Sequence, residues 1–192
     1  MMNSAILNNI VKGNLPKLDE PIIFLDFDDV INVFGDYRNN SDVICENVVI
    51  STGTPRPGLA SEVLQEDKIM EIAWRPAVVD VLRNMNCLWC TSWLHLTQSI
   101  VNPVLGVDFG YVEWAYRGFS DDGRYGKTNS IIEIIRTANT PFVVIDDSFW
   151  NWEDMFQYQL HNIPCKIIAP FIDEGLTLEQ LNEAIAFVET HG

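Results

Sequence analysis

Three acids in four residues, Asp26, Asp28 and Asp29, follow directly on the apolar run Pro21-Ile22-Ile23-Phe24-Leu25. Clustered carboxylates repel and raise one another's pKa unless a cation joins them. A hard divalent ion such as Mg²⁺, which prefers oxygen ligands and keeps waters for a phosphate, is the natural partner. A second acid pair, Asp146-Asp147, closes Phe142-Val143-Val144-Ile145 and is followed by Ser148. Between the two, Thr91-Ser92 ends the β-prone stretch Asn86-Cys87-Leu88-Trp89-Cys90, and Lys127 opens a helical pattern carrying Ile131, Ile132, Ile134 and Ile135. The order is acid pair, hydroxyl, lysine, acid pair, each at the edge of an apolar element.

Apolar runs without a polar face read as strands buried on both sides, and in open α/β sheets the carboxyl ends of such strands form the ligand crevice. Helices must cross between parallel strands. Pro76 suits the first position of one such helix, with Val78, Val79, Leu82 and Met85 on one face. Ile163 to Ala169 predicts a final strand, and Thr177-x-x-Gln180 a capping box before a helix with Leu178, Leu181, Ile185 and Val188 inward. A helix is expected over residues 3 to 12. Residues 32 to 74 read as a flap-sized insertion, with strand-like pieces at Val48-Val49-Ile50 and Ile69 to Trp74 around a turn at Gly53, Pro55, Pro57 and Gly58. The expected architecture is a single α/β domain over residues 1–192, with a parallel central sheet between helical layers.

The set Asp26-x-Asp28, Thr91, Lys127 and Asp146-Asp147 resembles the four motifs of the haloacid dehalogenase (HAD) superfamily of phosphotransferases. The resemblance runs from about residue 21 to residue 170. Trp74-Arg75-Pro76, Trp89-Cys90-Thr91-Ser92-Trp93 and Val144-Ile145-Asp146-Asp147 look most like the HAD domains of "Swiss Army knife" RNA-repair proteins. Two positions depart from the pattern: Asp29 stands where many members have Gly, and the last motif has two acids where close relatives often have three.

The resemblance implies a HAD-like Rossmannoid three-layer fold with a minimal cap, and a Mg²⁺-dependent phosphomonoester hydrolase. Asp26 would be the nucleophile, Asp28 the general acid and base, and Thr91 and Lys127 the groups that bind the remaining phosphoryl oxygens. Metal ligation falls to Asp26, Asp146, Asp147 and the backbone carbonyl of Asp28, with Asp147 preferred over Asp146 as direct ligand. Ser92, Arg117 and Arg124 are the further candidates for substrate contact, and Arg38 and Arg56 lie on the earlier insertion. A helix-start lysine is expected to carry little packing. The implied substrate is a nucleotide or a nucleic-acid end phosphate. A catalytically silent module of the same fold, binding a phospho-ligand or a protein, is the alternative.

The net charge of −15, from 27 acids against 12 bases, argues against strong duplex binding, which draws on cations that neutralise phosphates. Residues 93 to 125 hold Trp93, Phe109, Tyr111, Trp114, Tyr116, Phe119 and Tyr125 in a stretch of little periodicity, read as an insertion between the second and third motifs. These rings either stack a base or pack a subdomain against the sheet. Gly126-Lys127-Thr128 lacks the upstream strand and the first Gly of a phosphate-binding P-loop. Cys87 and Cys90, three apart on a strand, face opposite ways and cannot share a zinc, and His95, His161 and His191 have no ligand spacing. No apolar stretch has membrane-spanning length and the amino terminus has no signal core, so a cytoplasmic protein is expected.

Overall fold

A sheet covered on both faces needs strands with no polar side, and Ile22–Leu25, Cys87–Trp89 and Phe142–Ile145 have none. These strands lie inside a six-stranded sheet in a computed structural model that describes residues 4–51, 53, 55–56, 59–114, 124–149 and 153–192. The described elements in chain order are α1 (Ser4–Ile10), β1 (Val11–Lys12), β2 (Ile22–Leu25), β3 (Ile44–Ile50), β4 (Pro55–Arg56), β5 (Leu59–Val63), β6 (Lys68–Trp74), α2 (Pro76–Leu82), β7 (Cys87–Trp89), α3 (Asn102–Leu105), β8 (Gly110–Val112), α4 (Arg124–Ala138), β9 (Phe142–Ile145), α5 (Glu153–Leu160), β10 (Cys165–Ile168) and α6 (Leu178–His191).

The sheet order is β1-β8-β7-β2-β9-β10, parallel throughout except for β1, which pairs antiparallel with β8. From β2 the chain steps outward to β7 and β8, then returns to the other side of β2 for β9 and β10. The order therefore reverses between β2 and β9, and at such a switch point the carboxyl ends of the strands diverge into a crevice.

Alternation along each strand divides the core into two. Ile23, Leu25, Cys87, Trp89, Val143 and Ile145 pack with Val78, Val79 and Leu82 of α2 and with Leu181 and Ala184 of α6. Ile22, Phe24, Leu88, Cys90, Phe142 and Val144 pack with Ile131, Ile132, Ile134 and Ile135 of α4 and with Phe156 and Leu160 of α5. The result is three layers. Cys87 and Cys90 fall on opposite faces, and all four cysteines are free. His95, His161 and His191 are exposed.

Several elements differ from the sequence expectation. Val11–Lys12 leaves the helical path to pair with Val112 and Tyr111. In the insertion, β3 and β6 pair antiparallel over seven residues, from Ile44 opposite Trp74 to Ile50 opposite Lys68, longer than the patterned pieces. The Gly/Pro-rich turn includes a second small pair, β4 with β5. Residues 93 to 114 supply a π-helical turn (Thr97–Val101), α3 and the sheet strand β8, so this part of the aromatic-rich stretch belongs to the main sheet. Trp93, Phe109, Tyr111 and Trp114 are all buried, which corrects the base-platform possibility for these four rings. Tyr116 and Phe119 lie outside the described residues, as does the side chain of Tyr125. No helix among the described residues is long and apolar enough to cross a membrane.

At α6 the capping box is complete: Thr177 Oγ1 accepts from the Gln180 N–H at 3.3 Å, and Gln180 Oε1 accepts from the Thr177 N–H at 3.0 Å. Leu181 is buried, Ile185 and Val188 pack against the core, and Leu178 in the first turn faces out instead. Thr177→Ala should cost about 0.5–2 kcal/mol, lowering the melting temperature by about 2–4 °C per kcal/mol in a chain of this size. Thermal melts of Thr177→Ala beside Thr177→Ser check this, the serine variant staying close to wild type.

Candidate active site

Leu25 and Ile145 are register partners, so the residues that follow them emerge side by side at the switch point. Asp26 donates its N–H to the Ile145 carbonyl at 2.9 Å, and Asp146 donates its own to the Ile168 carbonyl at 3.1 Å. The first turn of α4 brings Lys127 over both. Its Nζ donates to Asp26 Oδ2 and to Asp146 Oδ2, the latter at 2.7 Å, and the lysine is 7% exposed. Asp26 Oδ1 accepts from the Phe27 N–H at 2.7 Å. Asp146 Oδ1 accepts from the Ser148 N–H at 3.0 Å and from Ser148 Oγ at 2.5 Å, an Asx-type turn. Asp147 takes no bond from another side chain among the described residues.

Burial raises the carboxyl of Asp26 above the usual range, with Asp146 adding to the effect and Lys127 opposing it. Asp147 is raised to about 6, by burial first and then by Asp146 and Asp29. Burial works against the Lys127 charge, but Asp26 and Asp146 outweigh it and raise the ammonium's pKa. Among the described residues, Lys127 thus serves a group in which a carboxylate oxygen from each of Asp26, Asp146 and Asp147 lies within 4.8 Å of the others. Such an all-oxygen, net-negative set fits a hard divalent cation such as Mg²⁺. With Asp146 occupied through both oxygens, Asp147 is the more available ligand.

Asp28 is not in that group. Its Oδ1 accepts from Asn32 Nδ2 at 3.0 Å and its Oδ2 from the Trp93 indole N–H at 2.8 Å. Asp29 sits at φ 57°, the left-handed region that favours glycine and that aspartate tolerates better than most residues. Its Oδ1 accepts from the Asp173 N–H at 2.8 Å, and burial raises its carboxyl. Thr91 is buried at the end of β7, its hydroxyl accepting from the Trp93 N–H at 3.4 Å, and Ser92 beside it is half-buried. Gly126-Lys127-Thr128 lies within α4, so no P-loop is formed.

Arg117 lies outside the described residues; Arg124 opens α4, with its side chain outside them, as is that of Arg56. Arg38 is turned to the insertion, donating to the Val33 carbonyl at 2.8 Å and to Glu71 at 2.8 Å. The residues missed by sequence reasoning are Asn32 and Trp93 as partners of Asp28. Asn32 had a signal, as the one polar residue in Val30-Ile31-Asn32-Val33-Phe34. A cavity of about 500 Å³ lies away from these carboxylates, against Asn14–Lys17, Arg83–Cys87 and Gly106–Gly110. Its cations are paired locally, Lys17 with Glu20 and Arg83 with Asp80. Comparison with known protein families, curated proteins and solved structures gives no match to this chain.

Because Lys127 is wedged between buried carboxylates, it carries more than a helix-start lysine was expected to carry. Lys127→Ala should destabilise the fold by about 3–5 kcal/mol at neutral pH, the usual cost of breaking a buried ion pair. Denaturant unfolding checks this, and adding Asp26→Asn to that variant should recover part of the loss.

The raised acids also set a pH dependence. Asp147 binds more protons folded than unfolded between its ordinary value of 3.8 and about 6, so metal-free stability from this group is present at low pH and lost as pH rises through that window. Mg²⁺ should act in the opposite sense, stabilising at pH 7.5 and little at pH 5. At about ten times its dissociation constant the gain is about 1.4 kcal/mol, or about 3–6 °C. Melts in chelator, in MgCl₂ and in NaCl of equal ionic strength test this; Asp147→Asn should flatten both responses.

Proposed function

We propose that the chain is a Mg²⁺-dependent phosphomonoester hydrolase working through an aspartyl-phosphate on Asp26, on the pattern of the HAD superfamily that its motifs resemble. The observation that carries this reading is the Lys127 ammonium held between Asp26 and Asp146 at the carboxyl ends of two adjacent parallel strands, with Asp147 completing a three-carboxylate group. Asp26, Asp147 and the backbone carbonyl of Asp28 would hold the ion, with Asp146 sharing the role or orienting its neighbours. Bound Mg²⁺ supplies positive charge to the phosphoryl oxygens.

The chain's own residues divide the reaction into two displacements. A carboxylate oxygen of Asp26 bonds to phosphorus as the ester P–O bond breaks, and Asp28 gives its proton to the leaving oxygen. Water then attacks the same phosphorus, loses a proton to Asp28, and releases phosphate with the Asp26 carboxylate restored. Thr91 and Lys127 meet the remaining phosphoryl oxygens and offset charge that would repel the nucleophile.

The substrate we favour is a mononucleotide or a short single-stranded nucleic-acid end, in keeping with a net charge of −15 and with the likeness to RNA-repair domains. Support for base contact comes from Phe171, 75% exposed in the loop after β10, whose neighbour Asp173 is bonded to Asp29. The second reading, a silent phospho-ligand module, draws on Asp26 being hydrogen-bonded through both oxygens. It predicts phosphate binding without turnover.

Asp26→Asn should abolish Mg²⁺-dependent turnover, and Asp28→Asn should lower it about 10²–10⁴-fold, least with leaving groups that need no proton. A panel of nucleoside monophosphates, 3′- and 5′-phosphorylated oligonucleotides and sugar phosphates tests the substrate. Stacking on one aromatic is worth about 1–3 kcal/mol, so Phe171→Ala should lower kcat/KM on nucleotides by about tenfold and spare sugar phosphates. Equal or higher kcat/KM on sugar phosphates in the wild type would remove the base-contact reading.

A further inference from the structure

Both carboxylate oxygens of Asp28 are held by neutral side-chain N–H donors. Trp93 Nε1 lies 2.8 Å from Oδ2 and Asn32 Nδ2 lies 3.0 Å from Oδ1, so the plane of the carboxylate is fixed from two sides. Neither donor is free to turn away. The Trp93 ring is 1% exposed and packs edge-on against Phe27 at 5.0 Å, and an indole nitrogen can only donate. Asn32 is 1% exposed, and its Oδ1 accepts from the Ala73 N–H of β6 at 3.0 Å, which assigns the amide so that Nδ2 faces Asp28. Each carboxylate oxygen has two lone pairs, so one on each oxygen remains for a proton in transit.

We propose that Trp93, together with Asn32, is a positioning residue for Asp28, clamping the proton-transferring carboxylate in one orientation. The proposal rests on the phosphatase reading above and adds to it the residues that aim its acid. Trp93 enters from the end of β7 and Asn32 from the loop after β2, where β6 fixes it. Strand β6 is thereby linked to the acid through the buried Asn32 amide.

A clamp on a proton donor matters in proportion to how much the leaving group needs a proton. Trp93→Phe keeps an aromatic ring against Phe27 and removes the donor. Asn32→Ala removes the other donor, together with the acceptor for Ala73, and serves where the first variant folds poorly. Each should lower kcat on a nucleoside monophosphate by about tenfold, a fraction of the ~10²–10⁴ that acid–base help supplies, with KM little changed. In the first displacement on 2,4-dinitrophenyl phosphate, read as the pre-steady-state burst of dinitrophenolate whose release needs no proton, both should stay within about twofold of wild type, while the later attack of water, which needs Asp28 as base, slows in both. In ¹⁵N-labelled protein the indole N–H resonance that disappears in Trp93→Phe should shift in Asp28→Asn, which reads the contact without turnover. A dinitrophenolate burst slowed as much as nucleotide turnover, or an indole resonance indifferent to Asp28, would overturn the clamp while leaving the phosphatase standing. Wild-type protein inert on both phosphates, or active independently of Asp26, would overturn the phosphatase reading and the clamp's purpose with it.

Discussion

The ammonium of Lys127, buried between Asp26 and Asp146, is the interaction on which the carboxyl end of the sheet depends. Strands β2 and β9 are neighbours in register, so the acids that follow them are forced together, and neither can be left charged and unpaired without a cost of several kcal/mol. The lysine sits in the first turn of α4, at the positive end of the helix macrodipole, where a cation is disfavoured. The two carboxylates overrule that preference. Two strands and one helix are thereby tied at a single point, and Asp147 adds a third carboxylate beside it.

A second constraint winds the loop after β2 so that Asp28 and Asn32 meet. The Phe27 carbonyl accepts from the N–H groups of Ile31 and Asn32 at 2.9 and 2.8 Å, and Asp29 takes the left-handed conformation that the tight turn demands. The segment before α6 holds this loop from outside: Leu176 donates to the Val30 carbonyl at 2.7 Å, and Asp173 donates to the side chain of Asp29. Gly175, at φ 72°, lies so close that a Cβ there would meet the Val30 carbonyl at 2.9 Å. The segment before α6 thus braces the loop after β2.

What was legible in the sequence was what repeats or caps. The isoleucines of α4, the unbroken runs of β2 and β9, Pro76 at the start of α2 and the Thr177 box all announce themselves locally, and each lies where the pattern put it. Strand β8 did not, because three residues carry no period; Gly110 is there because a Cβ would fall 2.0 Å from the Asn14 carbonyl, a contact set by tertiary pairing. The density of rings in residues 93 to 114 was visible, but not its direction, since Trp93, Phe109, Tyr111 and Trp114 turn inward only once β8 has joined the sheet. At the site, the residue types were readable and their couplings were not. Nothing local pairs Lys127 with Asp26 across 101 positions, or Trp93 with Asp28 across 65.

Several departures from ordinary local preference gather at the carboxyl end of the sheet. Within a few residues of the β2–β9 switch point stand an aspartate at positive φ, a lysine at the wrong end of a helix, and acids raised above their ordinary range by burial. Each costs stability on its own. A core that alternates cleanly between two faces gives no folding reason to collect three such costs at the mouth of one crevice. Departures of this kind belong where a site is built, and here three carboxylates are held close around Lys127. An arrangement that folds against its own repulsion suits a ligand that removes it, and the divalent cation and phosphate we propose would do so.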